Sequence, residues 1–216
     1  MNSFFPLENQ SLKTAYDITG NIKNCRRLDE DISEICVKNV DLENEDLSYL
    51  SFNTVVFDNC KLINCDFEKT SFINVMFKNC DLSNSVFTES YLGKIYILSS
   101  KLVGSAFPDS IIKYTSFNNC LCSFSVFNES SLNNVNFKDT DFVNAEITNC
   151  KFKAITLSNC RFSGTSFFRT MLDGLDFSDC VLEAIRVSDD FSELKGIKVN
   201  QLQALELSSL LKIIIV

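Results

Sequence analysis

The sequence predicts an all-β solenoid closed at its C-terminal end by a helix. Three positional regularities carry that expectation. From Leu42 to Val187 every fifth residue is a large apolar centre: of 30 such positions 15 are Phe, 10 Leu, 3 Ile and 1 Val, and the remaining one is Cys122. Two residues before each centre stands a restricted position, mostly Ser, Thr, Cys, Ala or Val, as at Val55, Cys60, Cys65, Thr70 and Val75. Two residues after each centre, Asn, Asp or Gly fills 18 of the 30 positions, among them Asn59, Asn64, Asn74, Gly104, Asn149, Gly164 and Asp179. A period held in phase over so long a stretch marks a repeat architecture and outranks local propensity.

A period of five has a definite geometric meaning. Along an extended strand, residues two apart share a face, so each large centre and the small residue before it point the same way. Five is odd, so a straight strand would turn the next centre outward. The chain must therefore turn once per repeat, and the Asn, Asp and Gly positions tolerate the positive φ of such a corner. A helix is excluded, because five residues walk off a 3.6-residue face and Phe, Asn, Ser and Cys are poor helix formers. Runs such as FDNCKLINCDFEKTSF and FKNCDLSNSVF resemble the pentapeptide-repeat family. That resemblance implies a right-handed quadrilateral β-helix, a pentapeptide-repeat solenoid with four repeats per coil, so that residues one coil apart stack. At roughly 4.8 Å per stacked strand, about 7.5 coils make a rod about 36 Å long.

The elements follow in order. Residues 1–31 do not repeat, and they read as an N-terminal extension that covers the open sheet edge of the first coil, with a short helix. Ile32 and Val37 are in phase, although Glu30 and Ile35 suit the small position badly. The solenoid is assigned to residues 32–190, without an inserted loop. Residues 191–216 lose the period. Asn200 reads as an N-cap, and Leu202, Leu205, Leu207, Leu210 and Leu211 give the following helix one apolar side. The order GIKV, then QALEL, then an aliphatic tail resembles the C-terminus of the Qnr and MfpA-like proteins of the family. The resemblance implies that this helix caps the rod and that the end of the chain pairs two subunits. The expected dimer interface is Leu207, Leu210, Leu211, Ile213, Ile214, Ile215 and Val216. Four exposed aliphatics at one terminus would be a liability on a monomer.

Composition narrows the function. A net charge of −8 and a pI near 4.6 argue against direct nucleic-acid binding. Met1–Leu7 lacks a basic and apolar leader pattern, and no segment is long enough to span a membrane, so the expected location is cytoplasmic. Cys60, Cys80, Cys120, Cys160 and Cys180 share one inward column, with Ser100 and Thr140 in its gaps; they read as small buried thiols in a reducing compartment. With no histidine, no CxxC pair and no glycine-rich phosphate loop, no catalytic site, no metal site and no cofactor are expected, and the chain is not expected to be an enzyme.

The surface carries the functional expectation. Sorted by position within the coil, the side centred on Leu47, Phe67, Phe87, Phe107, Phe127, Ile147 and Phe167 collects Asp46, Asp66, Glu68, Glu89, Asp109, Glu129 and Glu146 facing outward, against Lys69, Arg169 and Arg186. The next side collects Lys94, Lys113, Lys151 and Lys153. The resemblance to Qnr and MfpA-like proteins implies that such an acidic row imitates DNA phosphates, binds DNA gyrase or topoisomerase IV, and protects it from quinolone-like poisons. Two rods end to end would span about 70 Å, or about 20 base pairs. The alternative is an interaction scaffold for another protein through an apolar patch of Tyr91, Tyr96, Leu98, Ile111 and Tyr114, with Phe124 and Phe168 also out of phase.

Overall fold

The computed structural model describes Leu7 and residues 12–210. It is a parallel β-solenoid of about 7 turns, followed by a short helix. The elements are β1 (Lys13–Ala15), α1 (Thr19–Leu28), β2 (Ile32–Lys38), β3 (Ser51–Asp58), β4 (Ser71–Lys78), β5 (Tyr91–Gly93), β6 (Tyr96–Leu98), β7 (Ile111–Asn118), β8 (Ser131–Lys138), β9 (Lys151–Ser158) and α2 (Gln201–Leu210). All strand pairs are parallel and in one register, in which Phe52 meets Phe72, Phe72 meets Leu92, and Leu92 meets Ile112. β5 and β6 are two halves of one strand, both paired with β4 and β7.

Positive φ recurs at every fifth residue without interruption from Asp29 to Gly174. Four such corners fall within each coil, so the cross-section has four sides. Side one is centred on residues such as Leu62 and Leu82, side two on Phe67 and Phe87, side three on Phe72 and Leu92, and side four on Phe77 and Ile97. Strands β2 to β9 run over sides three and four, while sides one and two stack through single bridges such as Asp41 to Lys61 and Asp66 to Val86. The corner geometry therefore starts three repeats before the strict period, and Ile32, Ile35 and Val37 are buried in that first turn of the rod. Asp179, in phase, is not left-handed; one further corner follows at Ala184, and the regular series ends there as the rod gives way to its cap.

The interior explains both restricted positions. Large centres stack in columns: Phe67, Phe87, Phe107 and Phe127 have ring centroids 4.8, 4.6 and 4.8 Å apart. At the small position, the hydroxyl or thiol donates to a carbonyl oxygen 23 residues earlier, as from Thr70 to Leu47 at 2.8 Å, Ser105 to Leu82 at 2.7 Å and Cys80 to Phe57 at 3.3 Å. Ser, Thr and Cys are thus interchangeable there, because each fits and each satisfies a buried carbonyl. At the corners, side-chain amides form ladders along the rod, with Asn59 donating to Asn39 at 2.7 Å and Asn64 to Asn44 at 3.2 Å.

Both ends are sealed. β1 pairs with β2 and extends the sheet by one short strand, while Ile18 and Cys25, on and before α1, are buried against the first coil. Leu7 and Leu12 lie over an outward apolar column on side four, burying Val56 and Met76 against Cys36 and Tyr96. At the other end, Glu193 is fully buried, and its Oε1 accepts from the backbone N–H of Arg169 at 2.7 Å. In regular coils the corresponding N–H, such as that of Asn149, donates to a carbonyl of the next coil. Glu193 therefore stands in for the coil that is absent. In α2, Asn200 Oδ1 accepts from Gln203 N–H and Gln203 Oε1 accepts from Asn200 N–H, a reciprocal cap. Gln203 Nε2 then donates to the carbonyls of Phe177 and Cys180 at 2.8 and 2.7 Å. The apolar side expected for this helix divides: Leu207 and Leu210 pack on the core, but Leu202 and Leu205 face solvent, because the inward position is taken by Gln203. Among the described residues no helix is long and apolar enough to cross a membrane.

Candidate docking surface

The acidic residues singled out in the sequence all lie on side two or its corner, but in three separate columns. Asp46, Asp66 and Glu146 occupy the column just before the centres, Glu68 the column just after them, and Glu89, Asp109 and Glu129 the corner column, in which Asp29, Tyr49 and Lys69 precede them. Glu68 therefore does not stand in line with Glu89; the corner position of its coil belongs to Lys69.

Ion pairing shortens the acidic row. Arg26 of α1 reaches Asp46 at 3.2 Å, and Arg186 reaches across an intervening coil to Glu146 at 2.6 Å. Lys69 sits between Glu68 at 3.2 Å and Glu89 at 3.7 Å, and these carboxylates, Glu68 first, hold its ammonium above the usual lysine range. The Asp46 carboxyl lies below its ordinary value, chiefly because the Ser48 hydroxyl and backbone N–H donate to it, with Arg26 adding to the effect. Among the described residues Asp66, Asp109 and Glu129 form no side-chain ion pair. The continuous row of carboxylates expected from sequence is thus compensated at both ends and open in the middle.

That middle is not uniformly polar. The column that carries Asp46, Asp66, Glu146 and Arg186 elsewhere carries Val86, Ala106 and Val126 here, in direct register. Thr88, Pro108 and Asn128 lie between these and the acidic corner, and Phe124, 58% exposed, stands at the opposite corner. Sequence reasoning sorted side two by charge and passed over this apolar column, although it is readable at one residue per coil.

The alternative apolar patch is divided by the fold. Tyr91 and Ile111 are register partners on side three, and Tyr114, 62% exposed, marks the corner beyond them. The Tyr91 ring lies flat over Gly93, where a β-carbon would come within 2.7 Å of it. Tyr96 and Leu98 belong to side four, half-buried rather than projecting, and Tyr96 packs on the apolar column beneath Leu7 and Leu12. Of the expected dimer residues, Leu207 and Leu210 are half-buried on the rod, and Leu211, Ile213, Ile214, Ile215 and Val216 lie outside the described residues.

The interior thiols are built for packing. Burial pushes the Cys65 and Cys120 thiols up to about 11 and that of Cys150 up to about 12. Thiolate chemistry is therefore suppressed at these positions. Among the described residues no three metal-ligating side chains converge.

Two family profiles match the chain, one for a pentapeptide repeat region over residues 31–107 and one for eight-copy pentapeptide repeats over residues 115–153 and 145–183. The chain belongs to the pentapeptide-repeat family. Among solved pentapeptide-repeat structures, full-length QnrB1, a plasmid-mediated fluoroquinolone resistance protein, is similar with a TM-score of 0.56 at 21% identity, covering 83% of this chain and 91% of that one. HetL, a pentapeptide-repeat protein involved in heterocyst differentiation regulation from the cyanobacterium Nostoc sp. strain PCC 7120, is similar at 14% identity with a TM-score of 0.37, over 83% of this chain and 94% of its own. No curated protein matches the chain. The likeness to QnrB1 is one of fold.

Proposed function

We propose that this pentapeptide-repeat protein acts in the cytoplasm by docking side two onto a type II topoisomerase, DNA gyrase or topoisomerase IV, where its carboxylates take the place of DNA phosphates and shield the enzyme from quinolone-like poisons. The observation that supports this reading is the corner ladder of Glu89, Asp109 and Glu129, with Asp109 and Glu129 in no ion pair among the described residues, on a rod of the fold that QnrB1 has. Uncompensated carboxylates on one straight edge steer encounter with a basic surface. The function is binding rather than catalysis. The test is a gyrase supercoiling assay with a fluoroquinolone: the protein should restore supercoiling in a dose-dependent way. No effect at large molar excess over gyrase, nor over topoisomerase IV in the matching decatenation assay, rules the reading out.

The same reading includes a homodimer formed through the C-terminal end. It is favoured by Leu202 and Leu205, which lie 74% and 50% exposed, one turn apart on a helix whose other leucines among the described residues, Leu207 and Leu210, pack on the rod. The second reading, a scaffold for an unrelated protein, is favoured by the neighbouring Tyr91, Ile111 and Tyr114 on a different side of the rod. The two separate by salt: docking through carboxylates weakens steeply as ionic strength rises, and apolar docking does not.

A further inference from the structure

We propose that the middle of side two is a docking strip for a basic amphipathic α-helix lying along the rod axis, an inference that rests on side two being the docking side. Three columns make the strip. Val86, Ala106 and Val126 form an apolar row in direct bridge register, on coils whose centres Phe87, Phe107 and Phe127 stack behind them. Glu89, Asp109 and Glu129 run parallel to it along one corner. Thr88, Pro108 and Asn128 fill the space between with short side chains, so no long residue interrupts the shelf. The strip has ends as well as edges, because one coil before Val86 the apolar column becomes Asp66 and one coil after Val126 it becomes Glu146.

The spacing selects the occupant. Successive residues in each column are about 4.8 Å apart, the separation of neighbouring strands. Along an α-helix, residues three and four apart rise about 4.5 and 6.0 Å and lie on one face. Lysines or arginines at i, i+3 or i+4, and i+7 therefore fall opposite Glu89, Asp109 and Glu129 in turn. The adjoining apolar stripe of the same helix falls on Val86, Ala106 and Val126. An extended segment presents same-face residues about 6.7 Å apart and loses register after one coil. A purely electrostatic partner gains nothing from the apolar row.

The experiment uses the full chain and a labelled synthetic peptide of about five helical turns, with Lys at i, i+3 or i+4 and i+7 beside a Leu and Ala stripe. A scrambled peptide of identical composition is the control. Fluorescence anisotropy should show the patterned peptide binding more tightly than the scrambled one by roughly ten-fold or more. Ala106→Glu should weaken it by a similar factor, although it makes side two more acidic; Val86→Glu, at a more open position, is the second variant if Ala106→Glu lowers the melting temperature. Equal binding of both peptides, no binding, or unchanged or tighter binding to both variants overturns the helix strip. Failure here is distinguishable from failure of the topoisomerase reading. Gyrase protection that survives Ala106→Glu without patterned-peptide preference leaves mimicry standing and removes the strip. Selective peptide binding without gyrase or topoisomerase IV protection does the reverse.

Discussion

Phe107 and Glu193 illustrate the two kinds of residue that hold this rod together. Phe107 is fully buried between Phe87 and Phe127 in the side-two stack, so Phe107→Ala leaves a cavity that neighbouring coils cannot close. The expected loss is about 3–5 kcal/mol by urea denaturation, and a loss below about 1 kcal/mol would contradict the packing described. Its role was legible, since nothing but an inward position explains an apolar residue at every fifth place. Glu193 was not legible, because a glutamate outside the period reads as surface. Burial disfavours its charged form, yet hydrogen bonds from the Ser188 hydroxyl, then from the Arg169 and Ser188 N–H groups, outweigh that and hold its carboxyl below the ordinary glutamate range. A depressed pKa in the fold means that the contribution is complete above the unfolded value of about 4.3 and is lost as pH falls through the lower folded value. Melting temperature followed from pH 7 to pH 3 should therefore drop more steeply for the native chain than for Glu193→Gln, which should start lower at pH 7. Parallel curves would show that Glu193 does not titrate with folding.

Among the elements, the coils follow from the sequence in detail and the caps only in outline. A coil repeats its environment, so each position is sampled in every turn and its restriction shows as a period. A cap is made once. Asn200 could be recognised as an N-cap from its own chemistry, but the docking role of Gln203 depends on the Cys180 carbonyl and on the second acceptor site of the Phe177 carbonyl, which already accepts from Cys180 N–H; both face Gln203 only because the rod ends there. Gln203→Ala removes both bonds and half of the reciprocal cap, and it takes from the Cys180 carbonyl the donor that Gln203 supplies, while the Phe177 carbonyl keeps its bond from Cys180 N–H. It should cost about 2–4 kcal/mol and loosen α2 first, read as faster amide exchange over residues 201–210 than in the solenoid. Uniform exchange through rod and helix would refute that. The apolar column that Leu7 and Leu12 cover on side four was legible in principle: Cys36, Val56, Met76 and Tyr96 stand one coil apart, outward and apolar, while Ser116, Asn136 and Thr156 continue the same column as polar residues. The exposed pair on α2 carries its own test. Leu202→Glu with Leu205→Glu should convert a dimer to a monomer in light scattering without lowering the melting temperature. An unchanged mass, or a native chain already monomeric at micromolar concentration, removes the C-terminal helix from any interface.

For the molecule as a whole, charge and shape act together. The net charge of −8 is spread over a rod, but ion pairs compensate side two near both ends and leave Asp109 and Glu129 open near the middle. Sorting the sequence by coil position found the acidic side and placed Arg186 on it; it could not find Arg26, which belongs to the N-terminal cap, nor show that Arg186 pairs with Glu146 across 40 residues, two coils away. Like charges on neighbouring coils repel, so the corner ladder costs the free protein a little stability. Asp109→Lys with Glu129→Lys should therefore leave the rod folded, with a circular dichroism spectrum and melting temperature at or slightly above those of the native chain. It should abolish protection of gyrase, because the carboxylates that steer encounter are replaced by charges that oppose it. Lys151→Glu with Lys153→Glu, on side three, changes charge by the same amount with opposite sign and should leave protection intact. Residual protection by the native chain should fall steeply between about 50 and 200 mM salt, as expected for contacts screened within a Debye length of about 10 Å. If the side-two reversal keeps full protection while the side-three reversal loses it, the docking side is the one that carries Tyr91, Ile111 and Tyr114.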